Sequence, residues 1–143
     1  MAKLGALRIR DVMNAEVATI GRNDSLALAD QIMQLGRIRH LPVVDDEGRL
    51  AGILSRRDIF RGALASALGY GAHAQRRMLE MLRVKEVMTA ENLLTIGPDA
   101  LIVEAAQLML KHKIGCLLVL ENDALVGIVT EASFVELIAR SAS

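Results

Sequence analysis

The chain has 143 residues, of which 52% are hydrophobic and 2% aromatic, and its formal net charge is zero. This length suits one compact domain or two very small ones, while the neutral charge and the scarcity of aromatic rings argue against nucleic-acid binding through phosphates or base stacking. One cysteine allows no internal disulfide, the first residues lack a secretory signal, and no apolar run approaches the ~18 residues of a membrane span. We therefore expect a cytoplasmic protein without membrane or nucleic-acid partners.

Two halves of the chain match each other when the sequence is shifted by about 76 residues, and such self-similarity indicates an internal repeat. The matches keep the same order in both halves and include the following pairs: Thr19 and Thr95, Ile20 and Ile96, Ala29 and Ala105, Met33 and Met109, Val43 and Val119, Gly52 and Gly127. We predict duplicated units at 8–62 and 84–141, joined by a helical linker at 63–83.

The sequence pattern of each unit predicts the same elements in the same order: a helical turn, a strand, a helix, a two-stranded hairpin and a closing helix. The turn and the first strand are expected at 9–13 and 17–20, with counterparts at 84–88 and 93–96. The hairpin strands are expected at 41–44 and 50–54, with counterparts at 117–120 and 125–129. The closing helices are expected to begin near Arg56 and Glu131.

The long helix of each unit is predicted from apolar residues at i, i+3 and i+4 spacing. These residues are Ala29, Ile32 and Met33 in the first unit and Ala105, Leu108 and Met109 in the second. A side-chain oxygen before a helix can accept from its free N–H groups, so we expect N-caps at Asp24 or Ser25 and at Asp99. Pro42, in the first hairpin, has no N–H and predicts an edge or irregular strand.

The linker at 63–83 is rich in alanine and leucine and is interrupted by Gly69-Tyr70-Gly71. We predict that it extends the first closing helix, breaks at the glycines and continues as a short second helix. A connection of this length is expected to be structured.

The segment Arg39-His40-Leu41-Pro42-Val43-Val44-Asp45, followed by Gly52-Ile53-Leu54-Ser55-Arg56-Arg57-Asp58, resembles a cystathionine-β-synthase (CBS) domain. The segment Gly127-Ile128-Val129-Thr130-Glu131-Ala132-Ser133 resembles a second one, and the two together are similar to the CBS pair called a Bateman module. The resemblance implies an α/β (α+β) fold of two tandem βαββα repeats packed through their sheets about a pseudo-twofold axis. It also implies a regulatory protein that forms a homodimer.

The resemblance further implies an adenosine-containing regulatory ligand, namely AMP, ADP, ATP or S-adenosylmethionine, and no obligatory cofactor. Asp58, one turn into a helix, offers a carboxylate that can accept from both vicinal hydroxyls of a ribose. Ser55 precedes that helix, where a hydroxyl, free N–H groups and the helix dipole favour a phosphate. The same two residues are also a common helix-capping arrangement, which is the structural alternative.

The other contacts that the resemblance implies divide by role: phosphate contacts from Arg39, His40 and Arg57, and an adenine slot lined by Thr19, Ile20 and the backbone of Leu41 and Pro42. The second unit keeps a hydroxyl, Thr130, as a candidate contact, but Ser133 replaces the carboxylate, and Gly115 and Cys116 replace the Arg-His pair. An anionic ligand should therefore prefer the first unit.

An enzyme is not expected, because the sequence contains neither a phosphate-cradling P-loop nor a nucleophile elbow. His112 and Cys116 are not accompanied by a second Cys/His pair, so we expect no metal site. We expect no effector domain beside the two units and therefore expect regulation of a protein partner in trans or through rearrangement of the dimer. The alternative is a ligand-free dimerisation or interaction module.

Overall fold

The computed structural model describes residues 4–67 and 69–141. The first half contains a 3-10 turn at Leu4–Ala6, α1 at Ile9–Val12, β1 at Ile20–Gly21, α2 at Leu26–Gly36, β2 at His40–Val44, β3 at Leu50–Ser55 and α3 at Arg56–Ile59. The chain continues through a π-helical turn at Phe60–Leu64, α4 at Ala65–Ala67, α5 at Ala72–Met81 and a 3-10 turn at Val84–Glu86. The second half contains β4 at Thr95–Ile96, α6 at Ile102–His112, β5 at Cys116–Glu121, β6 at Ala124–Thr130 and α7 at Glu131–Ser141.

Helices and two small mixed sheets make this an α+β fold, which confirms the predicted fold class. The sheets have the orders β1-β2-β3 and β4-β5-β6; in each, the central strand is parallel to the first and antiparallel to the third. None of the helices in the described part of the chain combines the length and the apolarity that crossing a membrane requires.

The chain divides into two compact units whose boundaries do not coincide with those of the two sequence repeats. One unit is Ala18–Leu93, and we call it the first-repeat unit. The other, the second-repeat unit, combines 4–17 with 94–141. The lead-in turn of the first repeat therefore packs with the second repeat, and the lead-in turn of the second repeat packs with the first.

In the first-repeat unit, α2 buries the apolar face that its periodicity predicts. Leu26, Ala29 and Met33 are fully buried against Leu41 and Leu54 of the hairpin. The cluster also holds Val84 from the second lead-in turn. The main-chain groups of Thr89 and Ile53 exchange two hydrogen bonds of 2.9 Å, so this lead-in segment extends the sheet at β3.

In the second-repeat unit, the first lead-in turn takes the same place. Ile9 is 0% exposed and Val12 is buried, both in the cluster beneath β5 and β6. Asn14 and Ile128 exchange main-chain hydrogen bonds of 2.9 and 3.0 Å. Arg10 adds an ion pair to Asp99 at 2.9 Å and one to Glu121 at 3.2 Å. The segment is thus an integral part of the second repeat's core.

The two long helices begin differently from each other. Ser25 is the N-cap of α2, and its hydroxyl accepts from the Leu28 N–H at 3.2 Å, as predicted. The prediction of Asp99 as an N-cap is wrong, because α6 begins after Leu101 and the Asp99 carboxylate accepts from Arg10 instead. The N–H of Ile102 donates to the Leu7 carbonyl at 3.0 Å, so the lead-in backbone replaces the missing side-chain cap.

Pro42 predicts an edge or an irregular strand, and the edge alternative is wrong, since β2 is the central strand of its sheet. The pairing of β2 with β3 shifts register between Val43 and Val44, so the strand is irregular one residue beyond Pro42. In the second repeat, Leu118 stands at this position and donates its N–H to the Leu94 carbonyl at 3.4 Å. Pro42 has no N–H to donate, and β1 begins only at Ile20, opposite Val43. Because this N–H is missing, the pairing of β1 with the central strand starts one position later than the pairing of β4 with β5.

Gly52 on β3 lies against the second lead-in segment and leaves no room for a side chain. A Cβ there would lie 2.7 Å from the Thr89 carbonyl oxygen and 2.9 Å from the Met88 sulfur. We expect Gly52→Ala to lower the free energy of unfolding by about 1–3 kcal/mol, because main-chain atoms must move. Gly97→Ala is the matched control, since nothing lies within 4 Å of its Cβ position. Urea unfolding curves that coincide for the two variants would contradict this close approach.

Candidate ligand site

The predicted ribose and phosphate residues meet where β3 ends and α3 begins. Ser55 is the N-cap of α3, and its hydroxyl accepts from the Asp58 N–H at 3.0 Å. In return, Oδ2 of Asp58 accepts from the Ser55 N–H at 3.0 Å. Among the described residues, no other donor reaches the carboxylate, so Oδ1 of Asp58 is available to a ligand. The capping arrangement is present and leaves half of the carboxylate unused.

Positively charged side chains lie next to this helix start. The Arg56 N–H donates to the Arg39 carbonyl at 3.0 Å, which joins the residue before β2 to the first residue of α3. His40 is paired with Ser55 across the hairpin and is half-buried. Arg39, Arg56 and Arg57 are exposed, and within 4–67 and 69–141 none of these arginines forms an ion pair. This end of the sheet is therefore suited to an anion.

The predicted adenine-slot residues are mostly core residues. Ile20 and Leu41 are buried in the cluster between the sheet and α2, so only their main-chain groups are available to a ligand. Pro42 is also buried, whereas Thr19 is exposed just before β1. The structure brings the main chain of these residues together, because Ile20 is paired with Val43.

The second repeat has the same backbone arrangement with different chemistry. The Glu131 N–H donates to the Gly115 carbonyl at 3.2 Å, and the Thr130 N–H donates to the Ser133 hydroxyl at 3.0 Å. Ser133 is buried and carries no charge, so Thr130 lacks the neighbouring carboxylate that Ser55 has. Thr130 belongs to the second-repeat unit, whereas the other predicted site residues belong to the first-repeat unit.

Sequence reasoning missed the position of Thr89 beside this site. Its main chain is hydrogen-bonded to Ile53, two residues before Ser55, so the second lead-in segment supports the strand that ends at the site. The available signal was the Val-Met pair that is repeated at Val12-Met13 and Val87-Met88. The repetition marks both segments as part of the fold but does not indicate which repeat each one contacts.

Cys116 occupies the position in the second repeat that His40 has in the first, opposite Thr130. Burial raises the pKa of the Cys116 thiol to about 11, because a low-dielectric environment disfavours the thiolate. We expect alkylation by iodoacetamide to be slow at pH 8 and to accelerate as the pH rises toward 11. An alkylation profile with a midpoint near ~8.5, the value of an ordinary cysteine, would show that the thiol is solvated.

The CBS domain family model matches residues 9–65 and 84–140. Hypoxic response protein 1 of Mycobacterium tuberculosis is 32% identical over 123 residues, which are 86% of this chain and 79% of that protein.

Two solved structures are similar over nearly the whole chain. A protein assigned to acetoin utilization (AcuB) from Vibrio cholerae has a TM-score of 0.80 and 34% identity, and the similarity covers 95% of this chain and 93% of that one. The CBS domain pair of protein MJ0100, solved with 5′-methylthioadenosine and S-adenosyl-L-methionine, has a TM-score of 0.74 and 27% identity, covering 94% and 98%. With two matched segments, a shared fold and the helix-start motif in both repeats, this chain belongs to the CBS domain family and contains a tandem pair of CBS domains.

Proposed function

We propose that the chain is a regulatory module that binds an adenosine-containing ligand at the first repeat and that it is not an enzyme. The observation that carries the proposal is the helix start where Ser55 and Asp58 cap each other beside Arg39 and Arg57. The free Oδ1 of Asp58 accepts from a ribose hydroxyl. The CBS pair of MJ0100, which was solved with two adenosine compounds, supports this class of ligand.

The phosphate end of the ligand contacts the cationic residues. Arg39, His40 and Arg57 neutralise the phosphate, and the Ser55 hydroxyl contributes a hydrogen bond. The positive charge of these side chains favours the binding of AMP, ADP and ATP, whereas S-adenosylmethionine would bind through its ribose and adenine. Thr19 and the main chain of Ile20, Leu41 and Pro42 border the base.

The second repeat is the weaker site in this proposal. Thr130 offers a hydroxyl at the helix start, but Ser133 supplies no charge for the ribose. Glu131 stands where the first repeat has Arg56, and it repels a phosphate. We therefore propose a single high-affinity ligand per chain.

Ligand binding is proposed to act on a protein partner in trans or through a change in the dimer, in the cytoplasm. A ligand shifts a conformational equilibrium only when it binds one state more tightly than the other. Closure of the first-repeat site around a phosphate meets this condition, because the exposed side chains of Arg39 and Arg57 contact the phosphate more closely in the closed state.

A homodimer is the second part of the proposal, and the exposed apolar side chains of the helices support it. Leu35 of α2 and Leu110 of α6 are 79% and 80% exposed, respectively. A groove of about 580 Å³, lined mainly by apolar side chains and also by Lys113 and Glu131, lies between α6 and α7. Such surfaces mark contacts with other chains. A module that dimerises without any ligand is the alternative function that this observation favours.

Thermal unfolding with a panel of adenosine and guanosine compounds tests the proposed function. A ligand at about a hundred times its dissociation constant stabilises the folded state by roughly 2.7 kcal/mol, which raises the Tm by several degrees. We expect a shift with at least one adenosine compound and none with the guanosine compounds. No shift with any compound would leave the ligand-free dimer as the better account.

A further inference from the structure

Two methionines occupy equivalent places in the two repeats, and the sulfur of each lies against a glycine of a hairpin strand. The Met88 sulfur lies 2.9 Å from the position that a Cβ of Gly52 would occupy. The Met13 sulfur lies 2.5 Å from the corresponding position at Gly127. Because glycine has no side chain, each thioether lies directly against the main chain of its strand. Both units therefore contain the same contact between a sulfur and a glycine.

Main-chain hydrogen bonds lie beside each of these sulfurs and hold the lead-in segment on the hairpin. In the first-repeat unit, the Thr89 carbonyl oxygen lies 2.7 Å from the Cβ position of Gly52. This carbonyl accepts from the Ile53 N–H at 2.9 Å, and the Thr89 N–H donates to the Ile53 carbonyl at 2.9 Å. In the second-repeat unit, Asn14 and Ile128 form the same pair of hydrogen bonds. The N–H groups of both pairs are thus already used.

The exposure of the methionines decides which of them a small oxidant can reach in the folded chain. Met13 and Met88 are partly exposed, although each packs against a buried apolar cluster. Met78 is also partly exposed, and Met81 is 67% exposed, whereas Met33 is fully buried. Oxidation of a methionine follows the exposure of its thioether and converts a flexible apolar side chain into a polar one. Met13 and Met88 therefore combine access with a position that supports the fold.

We propose that Met13 and Met88 are modification sites at which oxidation by hydrogen peroxide releases the lead-in segments from the hairpins. The thioether sulfur attacks one oxygen of the peroxide, so that an S–O bond forms and the O–O bond breaks. The proton of the attacked oxygen moves to the departing hydroxide, which leaves as water. The sulfur is oxidised by two electrons and the peroxide is reduced by the same two, so the product is methionine sulfoxide.

The new oxygen weakens the contact whichever way it points. Directed at Gly52, it enters a space where even a Cβ does not fit, and it meets the Thr89 carbonyl, which is another acceptor. Because the N–H groups of this bridge are already used, the sulfoxide oxygen gains no hydrogen bond from them, and burying it is costly. Directed at water, it draws the side chain away from the cluster against which Met88 packs. The same argument applies to Met13 on Gly127.

Thermal unfolding after hydrogen peroxide treatment tests the proposal with two matched chains. Both carry Cys116→Ala to remove the thiol; one adds Met13→Leu and Met88→Leu, and the other adds Met78→Leu and Met81→Leu. Leucine has a similar volume and is not oxidised by peroxide. We expect the Tm to fall by about 5 °C or more in the chain that keeps Met13 and Met88, and by less than about half as much in the other. Equal falls in both chains would overturn the proposal.

Two further measurements need no substitution at either methionine and use the Cys116→Ala chain alone. Peptide mass spectrometry follows the oxidation of each methionine, and we expect sulfoxide at Met13 and Met88 while Met33 stays reduced. If Met13 and Met88 stay reduced at a dose that converts most of Met81, they are not modification sites. Amide hydrogen exchange then reports release of the segments, and we expect exchange at Asn14 and Thr89 to accelerate by roughly tenfold relative to α2. An acceleration no larger than that in α2 would show that oxidation does not release them.

Discussion

Replacing Ile9 by alanine is expected to lower the free energy of unfolding by about 2–5 kcal/mol, although Ile9 lies at the start of the first repeat in the sequence and not in the second. Ile9 is 0% exposed, and it packs in the cluster formed by α6, β5 and β6. Its N–H also donates to the Ala100 carbonyl at 2.9 Å. The loss combines the transfer free energy of the removed carbons with a cavity that the surrounding core cannot fill.

Val103→Ala is the matched control, because Val103 lies on the exposed side of α6 and is 43% exposed. A surface substitution of this kind changes the free energy of unfolding by about 0.5 kcal/mol or less. Urea denaturation followed by circular dichroism measures both variants. If Ile9→Ala were no worse than the control, the lead-in segment would not be part of the second-repeat core.

Replacing Asp58 by asparagine is expected to remove most of the stabilisation that an adenosine ligand gives. The asparagine oxygen can still accept from the Ser55 N–H, so the helix cap is retained. The charge is lost, and a hydrogen bond from a ribose hydroxyl to a neutral oxygen is weaker than one to a carboxylate. We expect the ligand dissociation constant to rise by about tenfold or more, while the unliganded Tm changes little.

Ser133→Ala separates capping from ligand binding. The Ser133 hydroxyl accepts from the Thr130 N–H at the helix start of the second repeat, so its loss should cost about 1 kcal/mol of stability. The ligand-induced rise in Tm should be unchanged in this variant. Equal losses of the ligand effect in Asp58→Asn and Ser133→Ala would mean that both act through general stability.

Local chemistry made much of the fold predictable from the sequence. The spacing of Ala29, Ile32 and Met33 predicts a helix face, and that face packs on the hairpin. The polar residues at 45–48 predict a turn between strands, which the register of β2 and β3 confirms. These features depend on residues close together in the chain.

Long-range pairing limited the rest of the prediction. The first strands were expected at 17–20 and 93–96, but regular pairing is confined to Ile20–Gly21 and Thr95–Ile96. Because Pro42 in β2 has no N–H, regular pairing of β1 starts only at Ile20. The start of β1 therefore depends on a residue of its partner strand that lies more than 20 positions away in the sequence. The Asp99 cap failed for a similar reason, since Arg10 competes for its carboxylate.

The candidate site was predictable in composition and less so in geometry. The Ser55 and Asp58 spacing predicts both a cap and a ligand site, and the hydrogen bonds show that the cap uses one carboxylate oxygen. The sequence does not reveal that Ile20 and Leu41 direct their side chains into the core, because alternation in a short strand depends on register.

Isothermal titration of the intact chain with ATP, AMP and S-adenosylmethionine tests the central claim most directly. We expect binding of at least one of them with a stoichiometry of about one per chain, as a site in the first repeat alone requires. We also expect that Asp58→Asn abolishes or strongly weakens this binding and that Ser133→Ala does not. Absence of heat with every compound, or binding that Asp58→Asn leaves unchanged, would contradict the claim that the first repeat carries the ligand.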